Sequence, residues 1–254
     1  MSHSYIFRAV AGLGLVAALA LPGTASAYSF LQTPDGTALR WYTNPVPYQI
    51  GPLSDDLPED VQMEAIFASF EAWEEVPGVE LKFEFVGSTD LDEVSNDAVN
   101  VVYFQKHDWP AGSSAIGTTQ SYALQSGQLT GFDLRLNDSA YQFTADDDQG
   151  NAQTDLQNAL THEVGHILGL DHSVDPEATM YSVTSRGDLE KRTLSLDDEE
   201  GAFFLYGDGD FYAAADGDSE FGCGCSTPAG QSGAGTGLSL LILGAAIGLG
   251  RRRS

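Results

Sequence analysis

The chain is short of cysteine, of basic side chains and of histidine, and each shortage excludes something. Its only cysteines, Cys223 and Cys225, stand one residue apart near the C-terminus. Such a pair closes a strained disulfide at best, so the core has no disulfide framework. No thiol precedes position 223 to plug a metal site. Eleven Lys plus Arg face 37 Asp plus Glu, a formal net charge of −26. That excludes a nucleic-acid partner, because neutralising phosphates requires a basic face. The acidity reads as a solubility device and identifies no substrate. With 254 residues the chain accommodates one medium domain plus extensions, with a core that needs no covalent staples. No internal repeat is visible. Histidine occurs five times, and three of the five fall within eleven residues.

Both ends carry targeting signals. Residues 1–27 read as a signal peptide: Arg8 supplies the charge, Ala9 to Leu21 the apolar stretch, and Ala25-Ser26-Ala27 the cleavage site. At the other end, residues 208–237 form an acidic, Gly-rich linker holding Cys223-Gly224-Cys225. An apolar run from Leu238 to Leu249 and Arg251, Arg252 and Arg253 follow. The run is short for an independent membrane span. Its trailing arginines would hold it on the cytoplasmic side during export. This three-part order resembles the MYXO-CTERM sorting tail of myxobacterial surface proteins, which implies surface handling and processing near the Cys motif. A plain membrane anchor in residues 238–254 is the alternative.

Between the ends, residues 28–207 are expected to form one domain. Val46 to Ile50 predicts a short strand, placed at a sheet edge by Pro45 and Pro47. Ser54 or Asp55 is the expected cap of a helix with Pro58 and Glu59 in its first turn. Ile66, Phe70 and Trp73 mark its buried face, and Pro77-Gly78 its end. Val79 to Val86 alternates as a half-buried strand, whereas Val99 to Phe104 is apolar apart from Asn100 and predicts a buried one. Two more strands are expected around Ser114 to Ser121 and Thr130 to Leu136, with Gln125-Ser126-Gly127 turning between them. Helices follow at about 152–170 and 197–206, the latter capped by Ser195 or Asp197. Strands first and helices after predict an α+β domain with a twisted, mostly parallel sheet of about five strands, an active-site helix and a C-terminal helix.

The chemistry concentrates in His162-Glu163-Val164-Gly165-His166-Ile167-Leu168-Gly169-Leu170-Asp171-His172. Histidines four apart on a helix share one face, so His162 and His166 can converge on one metal. Gly169 falls where the helix must stop, since glycine accepts a left-handed backbone. The turn lets His172 return as a third ligand. Three neutral nitrogens leave a fourth position open, as a catalytic zinc site requires. Glu163 adjoins the first ligand and reaches the reacting water without ligating the metal, the place of a general base.

These residues resemble the metzincin signature, and their surroundings resemble its matrixin branch. Ser173-Val174-Asp175-Pro176-Glu177-Ala178-Thr179-Met180-Tyr181 is similar to the matrixin passage that ends in the Met-turn, which implies that Met180 lies beneath the metal. Trp41…Val46-Pro47-Tyr48-Gln49-Ile50 resembles the family's opening strand. Thr130 to Asn137 resembles its antiparallel edge-strand region, and Leu194 to Gly201 the start of its C-terminal helix. The chain departs from the family in three places. Only His107 remains in the domain for a second, structural zinc, so a single catalytic Zn(2+) is expected. Ser182 stands where animal matrixins carry proline, and no Cys-switch segment is present. Calcium would find oxygen ligands at Asp146 to Asp148 and around Asp208, Asp210, Asp216 and Asp218, though a solvated acidic loop explains these equally.

The resemblance implies a secreted or surface-attached zinc endopeptidase, a monomer acting on protein or peptide substrates and attached to the membrane or cell surface through its C-terminal tail. The alternative is a non-catalytic surface binding module on the same zinc scaffold. Glu163 separates the two, since a scaffold needs the histidines but not the base.

Overall fold

The structure, a computed structural model, describes residues 26–110, 114–147 and 152–208, together with the backbone strands Leu240–Leu243 and Gly248–Leu249. The expected signal peptide (residues 1–25 of it), Asp148, the Cys motif and the arginine cluster lie outside the described residues.

Five strands build the main sheet: β1 (Val46–Ile50), β2 (Phe83–Ser88), β3 (Val101–Gln105), β4 (Gly117–Ala123) and β5 (Leu129–Asn137). Their order is β4-β5-β3-β1-β2. The pairs β1–β2, β1–β3 and β3–β5 are parallel, and β4 alone runs antiparallel, on β5. Leu240–Leu243 adds antiparallel to the outer side of β4, with Leu243 opposite Gln120. The α+β class and the mostly parallel sheet agree with expectation.

Three local readings change. Val46–Ile50 is an interior strand, not an edge. Pro47 is tolerated because β3 begins pairing with β1 only at Gln49, so the missing N–H leaves no ladder bond unmade. The Asn100 side-chain amide donates instead to the Pro47 carbonyl, at 2.7 Å. The antiparallel strand is β4, while Thr130 to Asn137 lies in β5, parallel to β3. The alternating stretch forms a strand only from Phe83; Val79 and Leu81 are buried ahead of it, and Phe85 is partly exposed.

Helix α1 (Glu59–Glu74) begins at Pro58 without a side-chain cap. Ser54 is occupied elsewhere: its hydroxyl donates to Asp138 Oδ1 at 2.6 Å and accepts from the Asp56 N–H at 3.1 Å. Phe70 of α1 stacks on Tyr48 of β1, with centroids 4.3 Å apart. Helix α2 (Leu156–Leu168) packs between α1 and β4. Helix α3 (Leu196–Tyr206) starts with a capping box formed by Ser195 and Asp198, and its Tyr206 hydroxyl donates to the Leu168 carbonyl at the end of α2. The core is continuous from Leu39 and Trp41 through the sheet to Ala202 and Leu205. Among the described residues no helix is long and apolar enough to cross a membrane.

Candidate active site

Helix α2 carries the first two histidines and the glutamate. Asp155 caps it, accepting from the Asn158 N–H at 2.8 Å, and also pairs with the Arg192 guanidinium at 2.6 Å. Every residue of α2 except Gln157 is buried. Gly169 ends the helix at φ 103°, and a Cβ there would stand 2.3 Å from the Leu39 carbonyl oxygen. The chain reverses and returns His172 to the face carrying His162 and His166.

The three rings face one another with centroids 5.0–5.3 Å apart. Two are oriented by backbone carbonyls: His162 Nδ1 bonds Thr179 O at 2.6 Å, and His166 Nδ1 bonds Leu170 O at 2.8 Å. A carbonyl can only accept, so each Nδ1 carries the proton and each Nε2 keeps its lone pair. The Nε2 atoms of His162, His166 and His172 are buried and have no hydrogen-bond partner. One ligand atom from each ring lies within 4.8 Å of the others. Three converging, orphaned lone pairs would be costly to bury without a common partner, and they fit a zinc site. Burial holds His162 well below the ordinary imidazole range, takes His166 to about 4 and lowers His172. All three stay neutral, as metal ligands must.

Glu163 is fully buried beside them. Its Oε2 accepts from the Thr119 hydroxyl of β4 at 2.8 Å, and its Oε1 has no partner. Burial pushes its pKa up to about 8, against the lowering effect of Thr119 and of the Lys191 charge. One oxygen is thus anchored and the other is left for a reacting group.

Met180 lies under α2. A Cβ on Gly165 would meet the Met180 sulfur at 2.2 Å and Trp73 at 2.8 Å, so only glycine lets the sulfur come this close to the helix. The turn is hung on Asp198, whose carboxylate accepts from Thr179 N at 2.7 Å and Met180 N at 2.9 Å. Asp198 therefore holds the carbonyl that orients His162. Trp73 Nε1 donates to Thr161 O at 2.9 Å, fixing α1 against α2 just before His162. Thr119, Gly165, Asp198 and Lys191 escape a reading of the motif alone, because their importance comes from contacts that cross elements.

Lys191 sits on a short 3-10 turn (Glu190–Arg192) packed against α2. Its N–H donates to Asn158 Oδ1 at 2.8 Å, its ammonium donates to the Tyr181 carbonyl, and burial lowers its pKa to about 8. His107 stands apart: its carbonyl accepts from Gln105 Nε2 at 3.0 Å, and among the described residues the three-histidine group is the one metal-holding cluster. Asp147, one of the suggested calcium ligands, pairs with Arg192 at 2.7 Å.

Comparison with known proteins gives a family match over most of the chain. The family model described as Matrixin matches residues 40–207. Stromelysin-1 of Rattus norvegicus is 32% identical over 169 residues, covering 66% of this chain and 33% of the stromelysin. Stromelysin-2 of Rattus norvegicus is 31% identical over 176 residues, with the same coverage of each. Matrilysin of Homo sapiens is 29% identical over 173 residues, covering 66% of this chain and 59% of the matrilysin. The chain thus spans about a third of the stromelysins and under two thirds of matrilysin.

Proposed function

The chain belongs to the matrixin family of metalloendopeptidases, and from that premise we propose that it is an exported zinc endopeptidase with His162, His166 and His172 as metal ligands and Glu163 as general base. The observation that carries this is the pairing of three orphaned Nε2 atoms with a glutamate oxygen that has no partner. A zinc ion held by His162, His166 and His172 would supply Lewis-acid polarisation of the scissile carbonyl and acidify the attacking water. Glu163, fixed by Thr119 through Oε2, takes the water's proton at Oε1 and delivers it to the leaving amine.

Residues 1–27 act as the export signal, 28–207 as the catalytic domain, 208–237 as a linker and 238–254 as a sorting tail. Removal of residues 1–27 would free the Tyr28 amino group, whose nitrogen lies 2.9 Å from Asp197 Oδ1. Asp198 is committed to the Met180 turn, so Asp197 is the partner for that terminus.

The decisive variant is Glu163→Ala. It should retain one zinc per chain, since no ligand is lost, and its peptidase activity should fall by about 10²- to 10⁴-fold. Elemental analysis alongside hydrolysis of casein measures both, and undiminished hydrolysis would remove Glu163 from the mechanism.

A further inference from the structure

Glycine inside a strand weakens it, because its backbone loses more freedom on folding and it brings no side chain to pack. Gly117 opens β4, is buried, and pairs in register with Leu136 of β5. It is not among the glycines with positive φ, so its backbone would accept any residue. Space is what excludes a side chain. A Cβ on Gly117 would stand 2.9 Å from both Cγ and Oε1 of Glu163 and 3.1 Å from its Cδ, and these are the three atoms nearest to it.

Neither side of this contact can give way easily. The strand is pinned just before Gly117: the Asn137 side-chain amide donates to the Ala115 carbonyl at 2.9 Å, and the Asn137 N–H donates to the Ile116 carbonyl at 2.8 Å. Just after it, the Thr118 hydroxyl accepts from Arg135 Nε at 2.9 Å. The glutamate is pinned as well. The Thr119 hydroxyl lies 2.8 Å from Glu163 Oε2 and 3.0 Å from the Glu163 carbonyl oxygen, tying the carboxylate back to its own turn of α2. Residues two apart in a strand share a face, so Gly117 and Thr119 act on Glu163 from the same side. Thr119 holds Oε2, and the room that Gly117 leaves by lacking a side chain is taken by the end of the carboxylate that carries Oε1, the oxygen without a partner.

We propose that Gly117 and Thr119 are paired positioning residues that fix the rotamer of Glu163, so that Oε1 and not Oε2 is offered to the reacting group. The catalytic consequence rests on the peptidase reading above; the placement does not. A methyl group at position 117 would turn Oε1 aside or break the bond to Thr119. A displacement of about 1 Å in a reacting group is enough to lower a rate on the order of 10²-fold. A misplaced base slows proton transfer and leaves ground-state binding in place, so the loss falls on kcat and not on KM.

The test is a double-mutant cycle on the full chain, read in two ways. Melting temperature of the metal-free protein reads the placement. Gly117→Ala should lower it by on the order of 5 °C, yet leave it unchanged or raise it in the Glu163→Ala background, where the methyl group has room. Equal falls in both backgrounds overturn the proposal. If Gly117→Ala alone does not fold, the double variant decides: folding supports the pairing, and failure to fold overturns it. Peptide hydrolysis by the zinc-loaded chain reads the consequence. Gly117→Ala and Thr119→Val should each retain one zinc and lose on the order of 10²-fold in kcat, with KM within about twofold. Thr119→Ser, which keeps the hydroxyl, should recover most of that loss. Undiminished kcat in Gly117→Ala or Thr119→Val, or a Thr119→Ser variant as slow as Thr119→Val, overturns the proposal. A wild type that hydrolyses no peptide refutes the peptidase reading instead, and the melting cycle then decides the placement by itself.

Discussion

Helices α1 and α2 lie side by side, joined through Trp73 and the Thr161 carbonyl, yet they bury different things. α1 is amphipathic. It turns Ile66, Phe70 and Trp73 inward and leaves Glu59, Asp60, Glu64 and Glu71 in water. α2 is buried nearly all round, and two histidines and a glutamate are among the residues it hides. An apolar side chain gains free energy when water is removed, and a titratable one loses it. α1 therefore contributes to stability by being buried, and α2 contributes to function at a cost to stability. The surroundings offset part of that cost with Thr119 on Glu163 and carbonyls on two imidazoles, leaving bare only the atoms the chemistry needs.

That division can be broken by substitution. Ile66→Ala on α1 should destabilise by about 2–5 kcal/mol through the cavity it opens, with kcat unchanged per folded molecule. A large fall in kcat would mean that α1 also shapes the site. Gly165→Ala on α2 forces a methyl group into the Met180 sulfur and should cost about 1–3 kcal/mol. Unlike Ile66→Ala, it should also weaken zinc retention, because the displaced turn carries Thr179 and its hold on His162. Melting curves with and without chelator separate the two effects.

A smaller effect sharpens the contrast in the metal-free protein. His166 falls from 6.5 to about 4 on folding, so its contribution is present above pH 6.5 and is lost as pH falls towards 4. Glu163 rises from 4.5 to about 8, so its contribution is complete below pH 4.5 and is lost as pH rises through 8. The buried charges of α2 thus narrow the stability window from both sides. Glu163→Gln removes the alkaline loss and should raise the metal-free melting temperature above pH 8, on the order of 5 °C, while abolishing activity. Equal melting temperatures for variant and wild type from pH 5 to 9 would show that Glu163 is not a stability cost.

The smallest effect belongs to the N-terminus. Protein beginning at Tyr28 should exceed protein with a few extra residues by about 1 kcal/mol or less, and Asp197→Asn should erase the difference. Two starting points with one melting temperature would remove the ammonium–Asp197 pair.

Much of this molecule is legible without coordinates because the relevant physics is local. The four-residue spacing of His162 and His166 sets them on one helical face, and Gly169 stops the helix where a positive φ is needed. Within the expected stretch Val99 to Phe104, the apolar residues Val101 to Phe104 lie in a buried parallel strand. Local rules failed where a distant partner decided. Pro47 argued for an edge, but β3 starts pairing too late for the missing donor to matter. Ser54 looked like a cap, but Asp138 and the Asp56 N–H take its hydroxyl. Thr130 to Asn137 looked like the antiparallel strand, but its partner on the other side, β3, is parallel.

The sequence by itself determined the candidate ligands, the adjacent base and the fold class, because these follow from helical periodicity, glycine's conformational range and the alternation of strands and helices. Only the tertiary structure decided that Thr119 anchors one oxygen of Glu163, that Asp198 hangs the Met180 turn, and that the buried Lys191 ammonium donates to the Tyr181 carbonyl. Those facts depend on hydrogen bonds between residues 10 to 44 positions apart, and no spacing rule reaches across elements to fix them.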